Sequence, residues 1–83
     1  MRVVLVRGAR SQGMQVRGLR ARGLTAREAD VAFLVARGLT TEGIALELGI
    51  TADTVRTHLK STFRKLRVSS RLELAMRVSG EAE

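Results

Sequence analysis

Residues 52–67 place an apolar stripe and a basic stripe side by side at the spacing of a helix. The apolar stripe consists of Val55, Leu59, Phe63 and Leu66. The basic stripe consists of Arg56, Lys60, Arg64 and Arg67. Both stripes repeat every three or four residues, which puts the members of each on one helix face. The chain must therefore fold around this helix so that the apolar edge is buried and the basic edge stays exposed.

A second helix and a tight turn are predicted immediately before this segment. Ile44, Ala45 and Leu48 share one face of a helix over 41–48, which begins after Thr40 and is weakened by about 1 kcal/mol at Gly43. The turn at 49–51 starts with a glycine and ends with a threonine that can cap the helix over 52–67. Two short helices joined in this way predict a helix-turn-helix, whose second helix enters the major groove of DNA.

Two further helices complete an all-α domain over 24–79, with 80–83 as a short tail. Thr25 and Glu28 have the spacing of a capping box, and Gly38 ends the helix that they begin. Ser70 and Glu73 repeat the capping-box spacing for a last helix over 70–79, which Gly80 ends. The apolar residues of this last helix spread around more than one face, which leaves Leu72 and Met76 as candidates for a contact with a second copy of the chain.

The positive charge of the chain is concentrated at its beginning. Of the net charge of +7, residues 1–23 supply six arginines and no acid, whereas residues 24–83 carry nine bases and eight acids. Four glycines in 1–23 disfavour a helix, so we predict a disordered basic arm there. The arm either tracks phosphates, enters a minor groove or is an idle leader.

The composition excludes several classes of protein. There is no cysteine, and His58 is the single histidine, so we predict no disulfide, no metal and no cofactor. A nucleophile, a base and an orienting group do not occur together, which disfavours an enzyme and a small-molecule ligand. No apolar run reaches the roughly 20 residues of a membrane span, so we predict a cytoplasmic location.

The residue types of the basic stripe indicate which of them read DNA bases. Arg56 and Lys60 lie near the start of the helix, where side chains reach base edges, and Thr57 can contact a thymine methyl group or a phosphate. Arg64 and Arg67 lie farther along and are predicted to contact phosphates. This interpretation requires that Arg56 and Lys60 are neither buried nor held by neighbouring carboxylates.

Residues 24–75 resemble the LuxR-type (LuxR/FixJ) DNA-binding domain of bacterial transcription regulators. The matching segments are LTAREADV at 24–31, ARGLT at 36–40, IALELGIT at 44–51 and TVRTHLKSTFRKLRVSSRLELA at 54–75. The resemblance implies a four-helix domain that binds double-stranded DNA with helix 52–67 and forms a homodimer through its last helix. By position, it places base contacts at Arg56, Thr57 and Lys60. Phosphate contacts are assigned to Thr54, His58, Ser61, Arg64 and Arg67.

The chain departs from the family pattern at several positions. Glu42 stands where the family often has a cation, and Ala32 stands where leucine is common. The first residues, MRVVLV, look like the first strand of a receiver, but the paired acids that follow in receivers are absent. We therefore expect either a stand-alone regulator without a sensor or receiver domain or the remnant of a larger one.

Other interpretations stay open at this point. The last region of sigma factors has a similar helix-turn-helix, although the segment 68–75 favours the LuxR type. A protein-interaction module would use helix 70–79 to pair with a full-length regulator or with RNA polymerase. RNA binding through the arm is a weaker hypothesis, because the arm has no aromatic residue on which bases could stack.

Overall fold

The computed structural model describes residues 17–81, and this part of the chain contains helices but no strand. Four helices follow one another. Their bounds are α1 at Ala26–Ala36, α2 at Thr41–Leu48, α3 at Ala52–Leu66 and α4 at Arg71–Glu81. A short helical segment at 17–21 precedes them. The all-α fold predicted from the sequence is confirmed.

The first two helices begin and end at the residues that the sequence predicts. Thr25 Oγ1 accepts from the backbone N–H of Glu28 at 3.1 Å, and Glu28 Oε1 accepts from the backbone N–H of Thr25 at 2.9 Å, so both halves of the capping box form. Gly38 follows α1 with a φ of 92°, the left-handed conformation that ends a helix. Thr40 caps α2 through the backbone N–H of Gly43 at 3.0 Å, without a reciprocal bond.

The core lies between α1 and the helices that pack on it. α1 contacts α3 and α4, and α2 contacts α3. Val55, Leu59 and Leu66 of α3 are buried, and Phe63 is half-buried against the same cluster, which confirms the predicted apolar stripe. The core therefore holds α3 by one edge and leaves its opposite edge outside.

The folded region begins before residue 24, so the prediction of a disordered arm is wrong for 17–23. Residues 17–21 are helical, and the side chain of Leu19 is fully buried in the core. Gly23, with a φ of 97°, reverses the chain, and the backbone N–H of Leu24 donates to the carbonyl of Leu19 at 3.4 Å. Burial of one apolar side chain outweighs the low helix propensity of this glycine-containing segment. The prediction for 1–16 lies outside the described residues.

The ends of the last two helices also differ from the prediction. α3 ends at Leu66, so Arg67 is not in the helix but caps it with a φ of 57°. α4 begins at Arg71 and continues through Gly80, which does not have a positive φ, so the predicted end at Gly80 and the tail from residue 80 are wrong. Glycine adopts either conformation and ends a helix only where the chain reverses, as it does at Gly38.

The start of α4 is capped differently from that of α1. Ser70 Oγ accepts from the backbone N–H of Glu73 at 3.0 Å, as the sequence spacing predicts. The carboxylate of Glu73, however, accepts from the backbone N–H and the hydroxyl of Ser69 at 2.8 and 2.9 Å rather than from Ser70. These bonds from Ser69 lower the pKa of Glu73.

Within residues 17–81, no helix has the length and apolar character needed to cross a membrane.

Candidate nucleic-acid interface

The turn between α2 and α3 sets the direction in which α3 leaves the core. Gly49 is left-handed with a φ of 69°, and the backbone N–H of Ile50 donates to the carbonyl of Ala45 at 3.0 Å. Ile50 is half-buried and packs on the core, which anchors the turn. Thr51 then caps α3 by accepting from the backbone N–H of Thr54 at 3.1 Å. The predicted helix-turn-helix is thus formed by α2, the turn at 49–51 and α3.

The basic stripe lies on the side of α3 that the core does not cover. Its four residues are exposed, although Arg67 lies beyond the end of the helix. Lys60 has no hydrogen bond or salt bridge to any residue that the structure describes. Arg64 donates to the hydroxyl of Ser61 at 3.3 Å. The side chains of this face are therefore available to a ligand with several negative charges.

Arg56 is exposed but paired. Its Nη1 lies 2.7 Å from Asp53 Oδ1, and its Nη2 lies 3.9 Å from Glu42 Oε2. The sequence-based interpretation required that neighbouring carboxylates do not hold Arg56 and Lys60, and only Lys60 meets that requirement. The side chain of Arg56 is nevertheless 57% exposed and that of Asp53 is 94% exposed. Exposed pairs of this kind contribute about 0–1 kcal/mol, so the pair does not prevent the exposed guanidinium from contacting a ligand.

The small polar residues near Arg56 bond within α3. The hydroxyl of Thr57 donates to the carbonyl of Asp53 at 3.1 Å, and the hydroxyls of Thr51 and Thr54 lie 2.9 Å apart. Thr54 and Thr57 are both exposed, whereas His58 and Ser61 are half-buried. The structure therefore brings the predicted contacts onto one continuous surface, with His58 and Ser61 toward the core side of it.

A partly buried ion pair that the sequence analysis did not identify joins α3 to α1. Lys65 Nζ lies 2.7 Å from Glu28 Oε1, and only 7% of the Glu28 side chain is exposed. Burial acts to raise the pKa of Glu28, but hydrogen bonds from Lys65, from the backbone of Thr25 and from Ser61 together lower it to about 2. Glu28 caps α1, as predicted, and through Lys65 it also holds the C-terminal half of α3 against α1.

Two arginines of α4 donate hydrogen bonds to the start of α2 and to the end of α3. Arg71 donates to the carbonyl of Leu39 at 2.8 Å and to the hydroxyl of Thr41 at 3.3 Å, which holds the start of α2. Arg77 donates to the carbonyl of Leu66 at 3.0 Å, at the end of α3. These arginines bond to the protein backbone, so their charge serves the fold. No local pattern indicates either contact, because each joins different helices.

The surface of α4 carries two large exposed apolar residues one helical turn apart. Leu72 is 71% exposed and Met76 is 65% exposed, whereas Leu74 and Val78 of the same helix are fully buried. The helix thus has a core face and a separate apolar edge. The structure places the predicted dimer residues on that free edge.

Comparison with known proteins identifies the family of this fold. The luxR family of bacterial regulatory proteins matches residues 22–78, which are 57 of the 83 residues. The chain belongs to the LuxR family. Its members are DNA-binding regulators rather than enzymes, and the matched residues cover α1 to α3, with the turn at 49–51, and most of α4.

The chain is similar to several curated regulators over 52–56 residues. The nitrate/nitrite response regulator protein NarL of Escherichia coli K12 is 43% identical over 55 residues, 66% of this chain and 26% of NarL. The two-component response regulator PprB of Pseudomonas aeruginosa is 41% identical over 56 residues, 68% of this chain and 20% of PprB. The transcriptional regulatory protein UhpA of E. coli K12 is 44% identical over 52 residues, 63% of this chain and 26% of UhpA.

The matched region spans about a quarter of the length of these relatives. No solved structure matches the chain. Glu42, which the resemblance predicts to replace a cation, has its carboxylate 3.9 Å from the guanidinium of Arg56.

Proposed function

We propose that this chain binds double-stranded DNA in a sequence-specific manner and regulates transcription, with α3 in the major groove. One observation carries the proposal: α3 is held by its apolar edge while the adjacent edge, with the basic stripe, faces outward directly after the turn at 49–51. This is the arrangement that a recognition helix needs. The names of NarL, PprB and UhpA as regulators support the same function.

The position of each side chain along α3 suggests its role. Arg56 and Thr57 lie in the first half of the helix and Lys60 lies just past its midpoint, one turn after Arg56, and we assign the base contacts to these three residues. Arginine pairs best with guanine, and the methyl group of Thr57 suits thymine. The phosphate contacts are assigned to Thr54, His58, Ser61, Arg64 and Arg67.

The exposed edge of α4 supports binding as a homodimer. Leu72 and Met76 would belong to the same apolar patch on both copies, and the two patches would pack on each other across the two-fold axis. A symmetric dimer would read two half-sites about one helical turn of DNA apart, which is roughly 34–36 Å.

Selection of bound sequences from a random DNA pool tests the base-reading assignment. The full chain and Arg56→Ala are compared at two ionic strengths. We expect the wild-type chain to enrich a defined site and Arg56→Ala to lose preference at one base pair, with an affinity loss of about 1–3 kcal/mol for that site. Binding of both proteins should weaken steeply with salt.

Arg27→Ala is the matched control. Arg27 is also an exposed arginine that pairs with an aspartate three residues away, Asp30, but it lies on α1. This variant should keep the wild-type site. An unchanged site for Arg56→Ala would refute the base-reading role, and no enrichment by the wild-type chain would refute sequence-specific binding.

A protein-interaction module is the second candidate, and the exposure of Leu72 and Met76 favours it. In that case α4 would pair with a full-length regulator or with RNA polymerase. Purified RNA polymerase would then bind the chain without DNA, and replacing Leu72 and Met76 by glutamine would abolish that binding. Enrichment of a DNA site with no binding to either protein would eliminate this candidate.

A further inference from the structure

The arginine assigned to base reading lies between two carboxylates. Asp53, in the first turn of α3, holds Arg56 Nη1 at 2.7 Å, and Glu42 of α2 lies 3.9 Å from Nη2. All three side chains are more than half exposed, and together they carry a net charge of −1. The surface around Arg56 therefore has a net negative charge, whereas the part of the basic stripe at Lys60 and Arg64 has a net positive charge.

We propose that Asp53, assisted by Glu42, is a specificity-determining positioning residue that keeps Arg56 on base edges and away from phosphates. The inference rests on the proposed function, since it concerns how the same surface separates its target site from other DNA. Asp53 acts through Arg56.

The electrostatic reason is the difference between the two partners that DNA offers to Arg56. A guanine presents the neutral acceptors O6 and N7, whereas a phosphate carries a full negative charge. A phosphate bound to Arg56 would sit a few ångströms from two carboxylates. In water, two like charges at 4 Å repel enough to weaken binding by about fivefold. The carboxylates therefore weaken binding to phosphates more than binding to guanine.

The geometry of the guanidinium allows the pairing and the base contact to coexist. The guanidinium has five N–H donors in a plane, and Asp53 accepts from Nη1. The other donors stay available for a base edge. A guanidinium that is already held also loses less conformational freedom on binding than a free one. The pair thus restricts where Arg56 can go without occupying all of its donors.

Asp53 and Glu42 are the acids that pair with Arg56 among the described residues, and three other acids serve as a comparison. Asp30 pairs with Arg27 on α1, and Glu28 is buried against Lys65. Glu47 of α2 is exposed and is not among the acids that pair with Arg56. Glu47→Gln therefore removes one negative charge from the same helix as Glu42 but leaves Arg56 as it is, which makes it the matched control.

The experiment measures dissociation constants of the full chain for its selected site and for a scrambled duplex, at two ionic strengths. For Asp53→Asn we expect about fivefold tighter binding to the scrambled duplex, a smaller gain at the site and a steeper dependence on salt. The dissociation constant for the scrambled duplex divided by that for the selected site, which measures specificity, should thus fall by about threefold. Glu42→Gln should act in the same direction but less, because its carboxylate is farther from Arg56.

Two controls separate positioning from a general effect of charge. Glu47→Gln should change both constants by the same factor and keep the ratio. Asp53→Glu retains a carboxylate that can reach Arg56 and should restore the ratio toward that of the wild type. Thermal unfolding of each variant shows whether it is folded at the temperature of the binding measurement. If Asp53→Asn is unfolded at that temperature, the inference is tested with Glu42→Gln instead.

The result that overturns the inference differs from the one that overturns the proposed function. If the wild-type chain does not distinguish the two duplexes, the proposed function fails. If it does, and Arg56→Ala removes one base preference while Asp53→Asn and Glu42→Gln keep the ratio, the function stands and the inference is wrong. A fall in the ratio as large for Glu47→Gln as for Asp53→Asn overturns the inference as well.

Discussion

Glu28 combines three contacts in one buried carboxylate. It completes the capping box of α1, accepts from Lys65 at 2.7 Å and is hydrogen-bonded by Ser61. Its folded pKa of about 2 lies below the ordinary value of 4.5. A lowered pKa means that the folded state favours the charged form. The contribution to stability is therefore fully present above about pH 4.5 and is lost as the pH falls through about 2.

Glu28→Gln should reveal this pH dependence. Glutamine keeps an acceptor for the backbone N–H of Thr25 but has no charge for Lys65. We expect the variant to be less stable than the wild type by about 2–3 kcal/mol at pH 7, with the difference shrinking between pH 4.5 and 2, by urea unfolding. Glu47→Gln, at an exposed carboxylate, should change the free energy of unfolding by less than about 0.5 kcal/mol at pH 7. A difference for Glu28→Gln that does not change with pH would contradict the assignment.

At the scale of the helix, α2 contains a glycine, Gly43, at a position where a residue of higher helix propensity would stabilise the helix. Gly43 is in the first turn and has helical φ and ψ, so glycine brings only an entropic disadvantage there. A Cβ at Gly43 would lie 3.3 Å from Thr40 Oγ1, at the end of an exposed side chain that can shift by a few tenths of an ångström. Gly49, by contrast, has a φ of 69° that disfavours any side chain.

Gly43 of α2 and Gly49, the residue that caps its C-terminus, should therefore respond with opposite signs to the same substitution. We expect Gly43→Ala to raise the free energy of unfolding by about 0.5–1 kcal/mol. We expect Gly49→Ala to lower it by about 1–2 kcal/mol, because alanine is strained in the left-handed conformation. Urea unfolding of both variants decides this. Equal losses in both would mean that the hydroxyl of Thr40 cannot move without loss of the cap.

At the scale of the whole molecule, the fold extends beyond the region that the family match covers. Leu19 precedes residue 22, where the match begins, yet it is one of the largest fully buried side chains. We expect Leu19→Ala to cost about 2–4 kcal/mol of stability. Leu46→Ala, at an 85% exposed leucine, should change it by less than about 0.5 kcal/mol. Similar losses in the two variants would show that segment 17–21 does not pack on the core in solution.

The second expectation at this scale concerns self-association. Replacing both Leu72 and Met76 by glutamine should leave the fold intact, since both side chains are exposed, but should convert the proposed dimer to a monomer. Sedimentation with and without a two-fold DNA site measures the mass. Leu46→Gln changes an equally apolar exposed residue on α2 and should leave the dimer unaffected. An unchanged mass for the double variant would exclude α4 as the interface.

The sequence by itself determined the existence of α1 to α4, the N-terminal caps of α1 to α3 and the apolar stripe of α3. The bonds involved are local: Thr25 with Glu28, Thr40 with Gly43 and Thr51 with Thr54 are each three residues apart. Helical periodicity likewise depends only on neighbours within two turns. The pairing of Arg56 with Asp53 has the same spacing and was open to prediction in the same way.

Only the tertiary structure decided which charged residues support the fold and which face outward. Lys65 meets Glu28 across 37 residues, and Arg71 meets Leu39 across 32, so neither contact follows from a local pattern. Leu19 likewise is apolar in a basic segment, and its burial depends on a core cluster whose other members are distant from it in the sequence. The physical reason is that such contacts are set by the relative placement of whole helices, whereas caps and stripes are set by the geometry of one.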